Sequence, residues 1–391
     1  MTALRILVAP LNWGLGHAAR CLPIARALAG GAEARGLALE LHWASDGQAL
    51  GLLRAEWPRA RHHELPGYGV RYPTKSATLN MLASAPRAFA AVVAERARVA
   101  ELHARHDFHF VLSDNRYGAR ARGVPSAVVA HQLHLPLARA WQRGLGDAVQ
   151  RALLGGFDEV VVPDYPTPPR LAGAMSAPLG RLPTRYLGPV SRFAGAAPVA
   201  GGEADTPTRY DVAAVLSGPE PARSRFERVF LAQLRRGSFG RVLLVRGVPA
   251  GAAPALDAPL AEGTELEVVD FAGARELGPV YRDTPALVTR PGYTTVMDLA
   301  AIGRRAIYVP TPGQPEQRVL AEACETSGTG VHVGQDTFNL AEALQRLGAP
   351  GAGRGFVADA AGGDPDRAEG LLATWADAAL TRAERHARGG L

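Results

Sequence analysis

Three groups of residues in this 391-residue chain have types and spacing that could do chemistry. In "NWGLGHAAR", Gly14 and Gly16 precede His17, where the apolar run "LRILVAP" gives way to a helical pattern. Glycines at such a turn let a ligand approach the backbone, and an imidazole there can move a proton. In "VLSDNRYG", Asp114 ends an apolar strand pattern. Ligands of open α/β sheets collect at the carboxyl ends of strands, so His17 and Asp114 are expected on one rim. A carboxylate beside an imidazole fixes its tautomer and raises its basicity, which predicts a general-base pair. The plainer reading is that Asp114 caps the following turn.

The second and third groups lie far downstream. Ser217 and Gly218 in "VLSGPEP" follow one strand pattern and precede the helical "ARSRFERVFLAQL". Exposed N–H groups at such a helix start suit a phosphate, although the loop alone reads equally as a turn. The stretch 286–328 reads strand, glycine loop, helix, strand, Gly/Pro loop, helix. Thr294 and Thr295 open a helix after Pro291 and Gly292, with Arg290 beside them. Helix-start amides plus a cation suit a diphosphate. Asp298, one turn in, could accept hydrogen bonds from a ribose diol. Gln314, Glu316 and Gln317 offer polar groups to a sugar at the next loop and helix start.

These groups need rigid elements to hold them, and the rest of the chain supplies a pattern for those. Short apolar runs alternate with helical stretches, which reads as α/β with parallel sheets. Strands are expected at "RILVAP", "LELHWAS", "FHFVLSD", "SAVVAHQ" and "EVVVPD", then again from "YDVAAVLSG" through "RVLLVRG", "ELEVVDF", "ALVTRPG", "AIYVPT" and "GVHVG". "AARCLPIARALAGG" reads as a helix with glycines at its end. The small-residue stretch 191–208 reads as a linker. The expected organisation is a domain over 1–190, that linker, a domain over 209–365 and a closing helix over 366–391.

Composition bounds the function classes. Residues 1–190 hold 22 basic against 13 acidic residues, and the remainder 21 against 24. The basic first half could face anionic lipid or a charged acceptor, or form a solvated arginine-rich surface. "RAEWPRARHHELPGYGVRYPTK", 54–75, mixes Arg with Trp and Tyr as an interfacial loop does. Nucleic-acid binding is not expected, because the basic residues have little aromatic interleaving. Two distant cysteines, Cys21 and Cys324, argue against a disulfide framework and fit a reducing, cytoplasmic setting. No apolar stretch approaches the roughly twenty residues of a spanning helix.

G-x-G-x-x-A, with Ala19 last, is a permissive dinucleotide fingerprint. Asp46 lies near a strand end but thirty residues past Gly16, a loose fit to the usual acidic partner. There is no G-x-x-x-x-G-K-[ST], which argues against a P-loop ATPase. His103, His106 and His109 stand three apart, but His109 falls in a strand pattern and the others end a helix, so no metal is expected there. "DPD", 364–366, reads as a helix-capping turn rather than a metal motif. His131 and His134 either line an acceptor cleft or are polar residues at a strand end.

Taken together, "RPGYTTVMD", "GRRAIYVP" and "PGQPEQ" resemble the donor-binding segment of GT-B glycosyltransferases, closest to the MurG-like type, and "NWGLGHAAR" resembles that family's N-terminal glycine-rich loop. The resemblance implies two Rossmann-like domains facing across a cleft, with the C-terminal helix packing back toward the N-terminal domain. It implies a nucleotide sugar, of UDP type, held mainly by the C-terminal domain. Transfer would go to an acceptor hydroxyl, lipid-linked in the peptidoglycan branch, by an inverting route with no metal or other cofactor. On this resemblance Asp298 matches the ribose acid, Thr295 and Gly292 the diphosphate loop, and Gln317 a sugar contact. Phe271 matches the position beside the nucleobase, Ser217 and Gly218 the phosphate-side loop, and His17 the base. Asp298 stands where the family has Glu, and Pro291 where it has a small polar residue. The rival readings are a sugar-nucleotide epimerase of the same architecture, which needs carboxylates around the sugar, and a non-catalytic nucleotide-sugar binding protein.

Overall fold

A computed structural model describes residues 3–68, 77–137, 139–193, 209–249, 251, 259–348 and 365–389. Two compact units emerge: residues 1–166, 174–192 and 366–391, and residues 167–173 with 193–365. The stretch 167–173, placed by the sequence reading in the first unit, groups with the second. Residues 194–208 of the expected linker, and Asp364 of "DPD", lie outside the described residues.

The first unit runs β1 (Leu4–Pro10), α1 (Gly16–Ala34), β2 (Leu39–Ser45), α2 (Gly47–Glu56), β3 (Arg61–Glu64), α3 (Ala77–His106), β4 (Phe110–Asp114), β5 (Ser126–Val129), α4 (Ala140–Leu154), β6 (Glu159–Val162) and β7 (Thr184–Tyr186). All strands are parallel, in the order β3-β2-β1-β4-β5-β6-β7. The second unit runs β8 (Val212–Val215), α5 (Ala222–Leu234), β9 (Gly240–Val245), β10 (Thr264–Val269), α6 (Ala274–Asp283), β11 (Ala286–Thr289), α7 (Tyr293–Ala301), β12 (Ala306–Tyr308), α8 (Pro315–Thr326), β13 (Gly330–His332) and α9 (Leu340–Gly348). Its parallel sheet has the order β10-β9-β8-β11-β12-β13. Both orders are doubly wound, reversing direction where the unit's first strand meets its fourth.

The strand period places the core. In β1, Ile6 and Val8 join one buried cluster with Leu28, Trp43 and Phe110, while Leu7 and Ala9 join another with Val99, Leu102 and Phe108. Both faces are covered, which is why the strand reads as a continuous apolar run. In the second unit Val212, Ala214, Leu244, Val288 and Ile307 pack against Phe226 and Phe230 of α5.

The final helix, α10 (Pro365–Ala387), belongs to the first unit. Trp375, Ala379 and Ala383, four apart, form a buried stripe with Ala376 and Leu380. Trp375 Nε1 donates to Glu159 Oε2 at 3.1 Å, and Arg382 Nη2 to the same oxygen at 2.5 Å. Gly30 and Gly31 do not end α1. A Cβ on Gly31 would lie 3.1 Å from Leu380 Cδ1, so that glycine admits α10, and α1 runs on to Ala34 before Gly36 turns the chain at φ +64°. β3 and β7 escape an apolar-run reading. One is the charged edge segment "RHHE", the other has only three residues.

Candidate active site

The loop after β1 and the end of β4 meet at the reversal point of the first sheet, where Pro10 pairs with Asp114 in register. Gly14 has φ +73°, a conformation open to glycine, and the turn it makes delivers Gly16 and His17 to the start of α1. His17 Nδ1 lies 2.8 Å from Asp114 Oδ1. The residues expected on one rim are in contact.

Asp114 is fully buried and has more than one partner. Arg20, one helical turn after His17, donates Nε to Oδ2 at 2.5 Å and Nη2 to Oδ1. The Cys21 thiol points at Oδ2 from 3.6 Å. Arg20 Nη1 lies 3.3 Å from Nδ1 of the buried His131, which joins the cluster, whereas His134 pairs with Asp147 on α4 at 2.9 Å. Burial alone would raise the Asp114 carboxyl, but Arg20 and His17 outweigh it and hold it well below the ordinary carboxylate range. For His17, burial first and Arg20 second push its pKa below 6.5, against the pull of Asp114. The imidazole is therefore neutral at neutral pH. An ionised carboxylate can only accept, so the ring hydrogen is assigned to Nδ1 facing Asp114, although Arg20 Nη2 lies 2.8 Å from the same nitrogen. Nε2 keeps its lone pair and has no partner among the described residues. Arg20 was missed by the sequence reading. Its only signal was the three-residue spacing from His17, which in a helix puts both on one face.

Beside this cluster lies a second buried ion network. Arg116 pairs with Glu95 at 2.7 Å and with Asp46, and its Nε donates to Pro10 O at 2.9 Å. Asn12 of the glycine loop donates to Asp46 Oδ2 at 3.1 Å and accepts from Ala49 N at 3.2 Å. Asp46 is thus occupied in anchoring the loop rather than offered to a ribose. The expected interfacial stretch 54–75 is also internal in part: Trp57 packs on Trp43, Tyr68 donates to Glu95 at 2.9 Å, and residues 69–75 lie outside the described residues.

In the second unit, three loops follow β8, β11 and β12 at the corresponding reversal point. Gly218 takes φ +102°, and a Cβ there would sit 3.6 Å from Thr311 Oγ1, so the first and third loops adjoin. The Ser217 and Gly218 amides have no partner among the described residues. The first amides of α5 do not share that freedom. Ala222 and Arg223 donate to Pro219 O at 3.1 and 3.2 Å, and Ser224 donates to Glu220 Oε2. The anion-ready amides are therefore in the loop, not in the helix that follows. At α7, Gly292 is the N-cap, its own N–H is spent on Arg290 O at 2.8 Å, and the Thr294 and Thr295 amides have no partner among the described residues. Gln314 is the N-cap of α8, with Glu316 in its first turn, and Gln317 Oε1 accepts from Thr311 N at 2.7 Å. The Gln317 carbonyl thus braces its loop, and only its amide nitrogen is left for a ligand.

Two expected contacts look different in three dimensions. Arg290 is 1% exposed and donates to Val309 O (2.8 Å), Pro310 O (3.0 Å), Ala222 O (3.1 Å) and Gln335 Oε1 (2.6 Å), stacked over Phe226 at 4.5 Å. Burial lowers its pKa to about 10. Its hydrogen bonds tie the three loops together instead of reaching a diphosphate. Asp298 lies on the buried side of α7, 1% exposed, and is not open to solvent. Phe271 is 53% exposed just past β10. An aromatic face there is free to stack.

Comparison with known proteins matches residues 255–352 to the glycosyltransferase family 28 C-terminal domain. The chain is 28% identical over 282 residues to a UDP-N-acetylglucosamine--N-acetylmuramyl-(pentapeptide) pyrophosphoryl-undecaprenol N-acetylglucosamine transferase of Novosphingobium aromaticivorans, covering 58% of this chain and 72% of that one. It is 36% identical over 83 residues to the Rhodopseudomonas palustris protein of the same name, covering 19% of this chain and 22% of that one, about a fifth of the relative's length. Among solved structures it superposes on the glycotransferase of kitacinnamycin with TM-score 0.64, at 16% identity and 99% coverage of both chains. Acinetobacter baumannii MurG gives TM-score 0.50, at 14% identity, covering 98% of this chain and 95% of that one. Two doubly wound parallel sheets, a glycosyltransferase family 28 match confined to residues 255–352 and relatives of one name make this chain similar to the MurG-like glycosyltransferases, with the GT-B fold of two Rossmann-like domains.

Proposed function

We propose that the chain transfers a sugar, of N-acetylhexosamine or hexose type, from a UDP-type nucleotide sugar to an acceptor hydroxyl. The observation that carries this is the His17–Asp114 contact, 2.8 Å, at the reversal point of the first sheet, with Nε2 unpartnered among the described residues. Nε2 takes the acceptor proton as the oxygen attacks the anomeric carbon. The bond from that carbon to the diphosphate breaks, and its electron pair leaves with the diphosphate. The amides of Ser217, Gly218, Thr294 and Thr295 are the donors for that growing charge. Phe271 supplies the stacking face for the base, and Asp298 is the residue we assign to the ribose. A single displacement inverts the anomeric centre and asks for no metal.

The epimerase reading is disfavoured by Asp114. A carboxylate fully buried under Arg20 and His17 is not placed for elimination chemistry on a sugar. The names of the relatives support a lipid-linked acceptor, and exposed side chains give it a place. Trp141, Leu145 and Val149 form an outward apolar stripe on α4, with Arg139, Arg143 and Arg151 exposed around it. We assign contact with the anionic cytoplasmic face of a membrane to this stripe rather than to 54–75. Among the described residues no helix is long and apolar enough to cross a membrane.

The decisive assay offers a panel of labelled nucleotide sugars with a polyprenyl-pyrophosphate acceptor, with and without chelator, to the chain and to its His17→Ala and Asp298→Ala variants. Loss of turnover in both supports the assignment, and full turnover in both removes it. Flotation with anionic vesicles at low salt tests the stripe: Leu145→Glu should abolish co-migration.

A further inference from the structure

We propose that His42, His63 and His106 form a binding site for one divalent transition-metal ion of the zinc class, independent of the transfer site. His42 lies on β2, His63 on the neighbouring edge strand β3, and His106 is the last residue of α3. Parallel pairing sets Arg61 opposite His42 and Ala44 opposite His63, so the two imidazoles project from one face of the sheet. The end of α3 lowers the third onto them. One donor nitrogen from each can be chosen so that all three lie within 4.8 Å of one another.

The geometry is close to that of a bound ion. Ring centroids are 5.2, 4.9 and 4.9 Å apart. A tetrahedral zinc with Zn–N of ~2.0–2.1 Å holds imidazole centroids about 5 Å apart and donor nitrogens about 3.3 Å apart. His42 Nδ1 and His63 Nε2 already stand 2.9 Å apart, sharing a proton that a metal would replace. The two rings are now nearly parallel, at 13°, so ligation needs side-chain rotation. His42 is fully buried, and its other nitrogen, Nε2, makes no hydrogen bond. It lies 3.2 Å from Glu40 Oε1, off the line of a good one. Loading the opposite nitrogen with a metal fixes the hydrogen on Nε2 and turns that approach into a carboxylate–histidine–metal relay. Three imidazole donors select zinc, nickel, copper or cobalt over magnesium or calcium.

The ligands are not the ones suggested by the three-residue spacing. His103 accepts the Phe108 amide and His109 the Arg5 amide, each through Nδ1 at 3.1 and 3.0 Å, and neither faces His106's partners. None of the three proposed ligands contacts His17, Arg20 or Asp114. The ion would pin the four-residue edge strand β3 to β2 and to α3.

The test uses the untagged full chain stripped with chelator, titrated calorimetrically with ZnCl2, then with Co2+ to read the visible bands of a tetrahedral nitrogen site. One ion per chain at about micromolar affinity or tighter, with a raised melting temperature, is expected. His63→Gln and His106→Gln should each weaken binding by at least the ~10–100-fold that loss of an outer-shell partner costs. His62→Gln and His103→Gln should leave it unchanged. Circular dichroism checks that the variants remain folded. No zinc binding tighter than millimolar, or binding that survives both ligand substitutions, or binding lost with His103→Gln, overturns the proposal. None of these readouts depends on transfer activity.

Discussion

The two units wind their sheets in the same order and put opposite chemistry at the point where that order reverses. In the first, the loop after β1 and the end of β4 bring together an imidazole, a carboxylate and a guanidinium, all with shifted or fixed protonation. In the second, the loops after β8, β11 and β12 present backbone amides, threonines and glutamines, while the guanidinium of Arg290 is buried and spent on carbonyls. One topology supplies a crevice, and the side chains at the strand ends decide whether it suits moving a proton or holding an anion, the roles we propose for the two units. A proton-moving site has to titrate near neutral pH, so charges must be packed against each other. An anion-holding site needs only dipoles that are already aimed, and a cation behind them to fix the loops.

The contrast is broken most strongly at His17. His17→Ala should lower kcat by about 10²–10⁴-fold with nucleotide affinity unchanged, read from initial rates and from calorimetry with UDP. A fall in UDP affinity instead would put His17 on the donor side. Asp114→Asn should cost stability as well as rate, about 3–5 kcal/mol by denaturant titration, because Arg20 is left buried without its carboxylate. Arg290→Met should behave in the opposite sense. It should lose on the order of 3 kcal/mol of stability, since several buried carbonyls lose their donor, while the remaining folded protein keeps its His17-dependent pH profile.

Finer effects sharpen the comparison. With neutral His17 as base, kcat/KM should hold its plateau to below pH 6.5 and then fall as the ring protonates. Arg20→Gln removes a nearby positive charge, so the acid limb should move to higher pH, and a profile that stays in place would assign Arg20 to packing alone. Stability runs the same way. His17 and Asp114 both bind protons more weakly folded than unfolded, so stability falls as pH drops below 6.5, and falls further below 3.8. The smallest expected effect is Phe271→Ala, about 1–3 kcal/mol of UDP affinity from lost stacking, with kcat at saturating donor unchanged.

The sequence by itself determined the alternation of elements, the two-unit plan and the meeting of His17 with Asp114. Each follows from local periodicity or from the rule that strand ends share a rim, and neither needs a distance. Periodicity did not reveal β3, whose "RHHE" carries no apolar signal, nor the role of Gly31, whose missing Cβ matters only because Leu380 arrives from 349 residues away. Only the tertiary structure decided where the long side chains point. Arg290 reads as a phosphate ligand by position and turns inward, Asp46 goes to Arg116, and His106 leaves its sequence neighbours for His42 and His63. A long polar side chain beneath a packed layer goes where unsatisfied carbonyls, carboxylates or imidazoles are buried, because leaving them unpaired costs more than any local preference returns. That cost is set by groups brought together across the fold, and no stretch of sequence contains them.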